Sequence, residues 1–284
     1  MLRALRRTGI LLAALILAPD PCAAQLSAGG SIRLVSPYVW RGLTRANGRS
    51  LQLEGSAGVG LAKGTLSAGV WANLELGDPR TSWRSDLGDD RPGVSEINYW
   101  GRYALNFGNT TLFAGAIVYD YRGKAPGFFS DDRTTEAFGG VQLNRGRLVP
   151  QVTAYFDIGR VEGMYLESAL ALHIIQLSRR LPVILYLNSV LGFSVFEGPN
   201  EDVPAEVALF QKDSFTHLDL SLALNVVLSR KHAVTLDLEP HFEVKFDDAT
   251  RRVGPGPDDI HHQQFWLTMA FSFHPVLLSG HQGR

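Results

Sequence analysis

The chain has 284 residues, 45% of them apolar and 19% charged, with 29 glycines, one cysteine and a formal net charge of −1. This balance excludes a disordered chain and offers no basic face for nucleic acid, and a single cysteine excludes both a disulfide scaffold and a thiolate metal cluster. The mean hydropathy of +0.00 has the look of a soluble protein, but the strand pattern below gives it another origin.

Residues 1–24 read as an export signal. Arg3, Arg6 and Arg7 precede the apolar run Gly9–Ala18, which is too short to span a bilayer as a helix. Cys22-Ala23-Ala24 then offers small residues for cleavage after Ala24. Cleavage removes three arginines, one aspartate and the lone cysteine, so the mature chain is two charges more acidic. No second run of about 18 apolar residues follows. The mature chain is therefore expected to be either a soluble exported protein or a membrane β-barrel.

From there the chain alternates apolar and polar residues at period two, the mark of strands with one apolar face. Twelve strands are predicted, at 30–36, 51–62, 65–76, 95–107, 110–121, 134–144, 147–158, 164–175, 181–194, 214–228, 233–246 and 263–273. The segment Val234–Phe246 is the most telling. Its apolar face carries Val234, Leu236, Leu238, Phe242, Val244 and Phe246, and its polar face carries Asp237, Glu239, His241, Glu243 and Lys245. At thirteen residues it exceeds the usual soluble strand of about 5–6. Such a ladder of titratable groups has to be wet.

Lys63-Gly64, Gly108-Asn109 and Arg145-Gly146 read as two-residue hairpin turns, and they alternate with longer polar connections. An even strand count with tight turns at one rim is the layout of an outer-membrane barrel. The fold expected is thus all-β: an up-and-down antiparallel transmembrane barrel over 25–273, with a periplasmic tail over 274–284. The alternative is a soluble β-sandwich. In the last strand Phe265, Leu267, Met269, Phe271 and Phe273 stand at every second place, which looks like the closing-strand signal read by the outer-membrane barrel assembly machinery. Tyr38 with Trp40, Tyr99 with Trp100, Tyr119 with Tyr121, and Phe265 with Trp266 suit interfacial aromatic girdles.

The stretch Ser36-Pro37-Tyr38-Val39-Trp40-Arg41-Gly42-Leu43-Thr44, then Leu51…Gly55 and Ala68-Gly69-Val70-Trp71-Ala72-Asn73, carries a resemblance. It resembles the N-terminal part of an uncharacterised proteobacterial family of exported barrel proteins, with Tyr38, Trp40, Arg41 and Gly42 as the motif. The resemblance implies fold and location, and no activity. Pro37 stands where that family commonly has an acidic residue.

The polar faces define a candidate lumen lined by Glu54, Glu75, Glu96, Arg102, Glu136, Arg147, Asp157, Glu167, His217, Asp219, Asp237, Glu239, His241, Glu243 and Lys245. With Arg33 added, ten acids face four bases, a field that favours cations in an open lumen. The function expected is passive passage of small hydrophilic solutes. A closed structural or surface-interaction barrel and an outer-membrane lipid-modifying enzyme are the alternatives. The trio His217, Asp219 and Ser221 shares one strand face, but a rise of ~3.4 Å per residue separates His217 from Ser221 by ~13–14 Å, too far for a triad. Ser189 and Ser194 on another strand offer other hydroxyls, yet the chain is read as no enzyme, with no catalytic residues, cofactor or metal. Asp78, Asp86, Asp89 and Asp90, like Asp258, Asp259, His261 and His262, show no fixed metal-ligand spacing. The expected partners are outer-membrane lipid and lipopolysaccharide, the assembly machinery and small solutes, without nucleic acid. The expected place is a Gram-negative outer membrane after Sec-type export.

Overall fold

The computed structural model of the chain has fourteen strands among the described residues, and period-two alternation builds the twelve long ones. The structure describes residues 25–273 except 47, 62, 77–92, 122–132, 160–162, 177–181, 197–212, 230–232 and 247–261. The strands are β1 (Leu26–Ser36), β2 (Tyr38–Trp40), β3 (Leu43–Ala46), β4 (Ser50–Leu61), β5 (Gly64–Glu75), β6 (Gly93–Phe107) and β7 (Thr110–Tyr121). They continue with β8 (Arg133–Leu143), β9 (Leu148–Asp157), β10 (Gly163–Gln176), β11 (Val183–Phe196), β12 (Ser214–Ser229), β13 (Val234–Lys245) and β14 (Gln263–Phe273).

Twelve of these pair antiparallel with their neighbours in a closed barrel, and β2 with β3 forms a separate two-stranded sheet. Closure comes from β1 on β14, in register from Gly30↔Phe273 to Ser36↔Leu267. The sandwich alternative is thereby set aside, because closure leaves no edge and no second sheet to cover the apolar face. Among the described residues there is no helix.

Burial is inverted relative to a soluble protein. Leu53, Leu66, Leu112, Val152, Leu170, Leu187, Leu220 and Leu222 are exposed on the outer face. Asn73, Thr153, Glu243 and Lys245 are buried inside. Apolar surface is left outside because lipid, not water, is the outer solvent. Phe265, Leu267, Phe271 and Phe273 of β14 join this exposed band, and Met269 of the same register is half-buried.

Three expectations need correction. The ladder between β4 and β5 ends at Leu61↔Gly64, so Gly64 opens β5 rather than closing the turn. In the β8–β9 connection Arg145 and Leu148 pair, with Gly146 at φ 65, so the turn residues are Gly146 and Arg147. Arg147 is therefore exposed in a tight turn and does not face the lumen. Third, the segment 37–50, read as a plain loop, holds the β2–β3 hairpin. The signal segment 1–24, the tail 274–284, and the loop acids and histidines other than His262 lie outside the described residues; His262 is exposed.

Candidate functional site

The hairpin leaves β1 at the long-loop end and turns back into the lumen. Its turn is Arg41-Gly42, at φ 50 and φ 82 between the pair Trp40↔Leu43. Two successive positive-φ residues between paired strands make a type I′ turn, in which glycine suits the second place. An arginine at the first place costs ~1 kcal/mol of left-handed backbone, so the surroundings must hold it there.

They do so from several sides. The Arg41 guanidinium donates to both carboxylate oxygens of Glu136 on β8, at 2.7 and 2.8 Å. It also sits over the rings of Trp40, Tyr155 and Tyr165 at 4.5, 4.1 and 4.5 Å. Tyr119 on β7 donates its hydroxyl to the same Glu136 at 2.8 Å. Burial alone would lower the Arg41 pKa, but Glu136, Tyr119 and Tyr155 together outweigh this and raise it well above the usual arginine range, so the guanidinium stays charged. Two glycines lie close to this part of the wall. A Cβ on Gly42 would meet the His217 ring at 2.9 Å, and one on Gly192 would clash with the Thr216 hydroxyl. The register shift at Gly192/Phe193 brings Thr216 and His217 inside together, where the His217 ring stacks on Tyr165.

The rest of the hairpin spans the lumen. Tyr38 donates to Glu96 of β6 at 3.2 Å and its ring lies 5.7 Å from Trp71 of β5. Thr44 donates to Gln264 of β14 at 2.8 Å and accepts from Lys245 of β13 at 2.9 Å. Arg45 lies over Trp40 and Tyr121. Contacts thus reach walls on all sides, and the motif residues Tyr38, Trp40, Arg41 and Gly42 form the part that enters the barrel.

Below the hairpin lies a cavity of 530 Å³, walled by Glu54, Glu167, Asp219 and Glu239 together with Trp71, Trp100 and Trp266. A second cavity of 340 Å³ shares Glu54, Trp100, Ile117 and Tyr155 with it and is further lined by Arg102, whose guanidinium lies 4.1 Å over Phe113. Both open along the barrel interior.

Other expected lumen residues are committed to internal bonds. Asp157 accepts from Thr134, Asp237 accepts from Asn225, and Glu239 accepts from Ser221 and Asn188. Glu243 lies 3.7 Å from Lys245. Glu96 accepts from Tyr38 and Asn98. Glu75 is buried near the long-loop rim. The trio His217, Asp219 and Ser221 is not brought together. His217 pairs with Thr216, and Ser221 with Glu239. Asp219 instead lies 2.9 Å from His241 Nδ1, while His241 Nε2 lies 3.4 Å from the Thr268 hydroxyl. That carboxylate–imidazole–hydroxyl line runs across three strands on the cavity wall, and no same-strand spacing announces it.

The aromatic girdle reading is half right. Tyr99 and Phe265 are exposed outside, but Tyr38, Trp40, Trp100, Tyr119 and Trp266 line the large cavity. Adjacent residues on a strand face opposite ways, so only one of each adjacent pair can reach lipid.

No family model and no curated protein matches the sequence. Solved structures do, at the level of fold. LpxR from Salmonella typhimurium is 11% identical over 86% of this chain and 99% of its own, with a TM-score of 0.49. The COG4313 outer-membrane channel from Pseudomonas putida F1 is 10% identical over 91% and 98%, with a TM-score of 0.48. The translocator domain of the autotransporter NalP from Neisseria meningitidis is 10% identical over 97% and 96%, with a TM-score of 0.40. The reading of the chain as no enzyme does not stand, since an outer-membrane barrel architecture gives no ground for excluding catalysis. The chain has the outer-membrane β-barrel fold, at identities that carry fold alone.

Proposed function

We propose that the protein is a Gram-negative outer-membrane barrel, exported by a Sec-type route with 1–24 as its signal, that passes small hydrophilic solutes and prefers cations. The observation that carries this reading is the 530 Å³ cavity inside the barrel, with Glu54, Glu167, Asp219 and Glu239 in its wall. In a low-dielectric barrel, lining charges of one sign set ion preference. The exposed apolar band meets outer-membrane lipid and lipopolysaccharide, and Phe265, Leu267, Met269, Phe271 and Phe273 serve the assembly machinery.

The test is purified, folded protein in a planar bilayer under a salt gradient. Small conductance steps with a reversal potential on the cation side are expected, and Glu54→Gln with Glu167→Gln should move that potential toward zero. Silence from protein that shows a heat-dependent gel shift would refute passage. A closed structural barrel is the second reading, favoured by one observation: the hairpin bonds to opposite walls through Glu136, Gln264 and Lys245.

A further inference from the structure

The chemistry of the cavity wall narrows the class of solute, an inference that rests on the conduit reading above. Trp40, Trp71, Trp100 and Trp266, the tryptophans among the described residues, all line the 530 Å³ cavity. Membrane barrels ordinarily set tryptophan at the lipid interface, where the indole meets headgroups. Here the indoles stand inside beside Glu54, Glu167, Asp219 and Glu239, against Arg33 and an Arg41 whose charge Glu136 takes up.

The lumen already holds cations in this manner. Arg41 lies over three rings with one carboxylate, and Arg45 lies 5.2 Å over Trp40 and 4.8 Å over Tyr121. Ring faces attract large, weakly hydrated cations through their quadrupole. A small divalent metal needs several close oxygen ligands instead, and among the described residues no group of three metal-binding side chains gathers. Ligand sites of this kind usually have volumes of roughly 300–1,000 Å³, and 530 Å³ falls inside that range.

We infer that the cavity below the hairpin is a binding site for a small organic cation of the alkylammonium or guanidinium class. Trp100 supplies a ring face, and Glu54 and Glu167 supply the countercharge.

The experiment titrates folded protein in detergent and reads tryptophan fluorescence. Choline is the probe, its neutral isostere 3,3-dimethylbutan-1-ol the comparison, and potassium chloride the control at matched ionic strength. Choline should give a saturable change about 10-fold tighter than the isostere, as about 1.4 kcal/mol of charge recognition implies. Glu54→Gln with Glu167→Gln should weaken it by about 10-fold or more, and Trp100→Leu should do the same. If the double variant fails the gel-shift test of folding, the two single variants carry the measurement. Choline binding no tighter than its isostere, or no saturable change at all, overturns the inference while cation-selective conductance keeps the conduit reading. Choline binding by a barrel that never conducts does the reverse.

Discussion

Replacing Arg41 tests whether one ion pair latches the hairpin inside the barrel. The two side chains are 7% and 9% exposed, and the contact is bidentate. Arg41→Met keeps the stem and the φ 50 backbone but removes the charge. Breaking a buried pair from one side leaves an uncompensated charge and costs ~3–5 kcal/mol. The lost ring contacts act in the same direction, each worth ~0.5–2 kcal/mol. Glu136→Gln should cost less, because the amide oxygen still accepts from Tyr119. The double variant should recover part of the loss, giving a coupling of ~2–3 kcal/mol in the cycle. Loss of the latch would show either as a less stable barrel or as a released hairpin, so two assays are needed. Guanidinium chloride unfolding followed by tryptophan fluorescence reads global stability, and single-channel current reads the lumen. Arg41→Met should either lower the unfolding midpoint or raise the conductance. A coupling below ~0.5 kcal/mol together with unchanged current would refute the latch.

Other expectations follow from the same geometry. Gly42→Ala combines a φ of 82 with a Cβ 2.9 Å from the His217 ring, so a loss of ~1–3 kcal/mol in the same denaturant assay is expected. The outer face should reject charge: Leu222→Arg, midway along β12 and exposed, should cost ~2–4 kcal/mol in lipid vesicles. The neighbouring Ser221→Ala should cost far less, and equal losses would argue against a lipid-facing Leu222. Phe273→Asp, at the end of β14 where Gly30 pairs, should reduce the yield of heat-shifted barrel in membranes. Unchanged yield would remove Phe273 from the assembly signal.

The barrel was legible because lipid outside and water inside impose one rule on every strand. All twelve predicted segments correspond to barrel strands. β1 is the one notably longer than expected, since Leu26–Gly30 is too poor in large apolar residues to show alternation, yet it pairs along β4 from Leu26↔Val59. The hairpin was not legible. Tyr38-Val39-Trp40 and Leu43-Thr44-Arg45-Ala46 are too short to show a period, and their value comes from partners up to 220 residues away, as with Thr44 and Gln264. One local signal was present: Arg41-Gly42 is a two-residue turn of the hairpin kind between aromatic and β-branched residues. The inward tryptophans were missed for a different reason. Composition places aromatics near strand ends but does not say which way each one faces; parity with Glu96 and Asn98, which share the inner face with Trp100, does.

Depth sorts the lumen charge that the sequence showed only as a surplus. At the level of the hairpin three acids are matched. Glu136 meets Arg41, Glu96 faces Tyr38 and Arg45, and Glu243 lies beside Lys245, which also bonds Thr44. Glu54 and Glu167 stand below it on the cavity wall. Toward the tight turns Arg102 sits over Phe113 beside the smaller cavity. The hairpin therefore does more than narrow the barrel. Its arginines face Glu136 and Glu96, while Glu54 and Glu167 stand beneath them, with Arg33 in the same wall and the Arg102 guanidinium further down. On the proposed conduit reading, a cation would meet its most favourable potential in the middle rather than at either mouth, so that one site selects while both ends release. Releasing the hairpin should then change selectivity as well as conductance, because Glu96 and Glu136 would join the unmatched acids and strengthen the preference for cations.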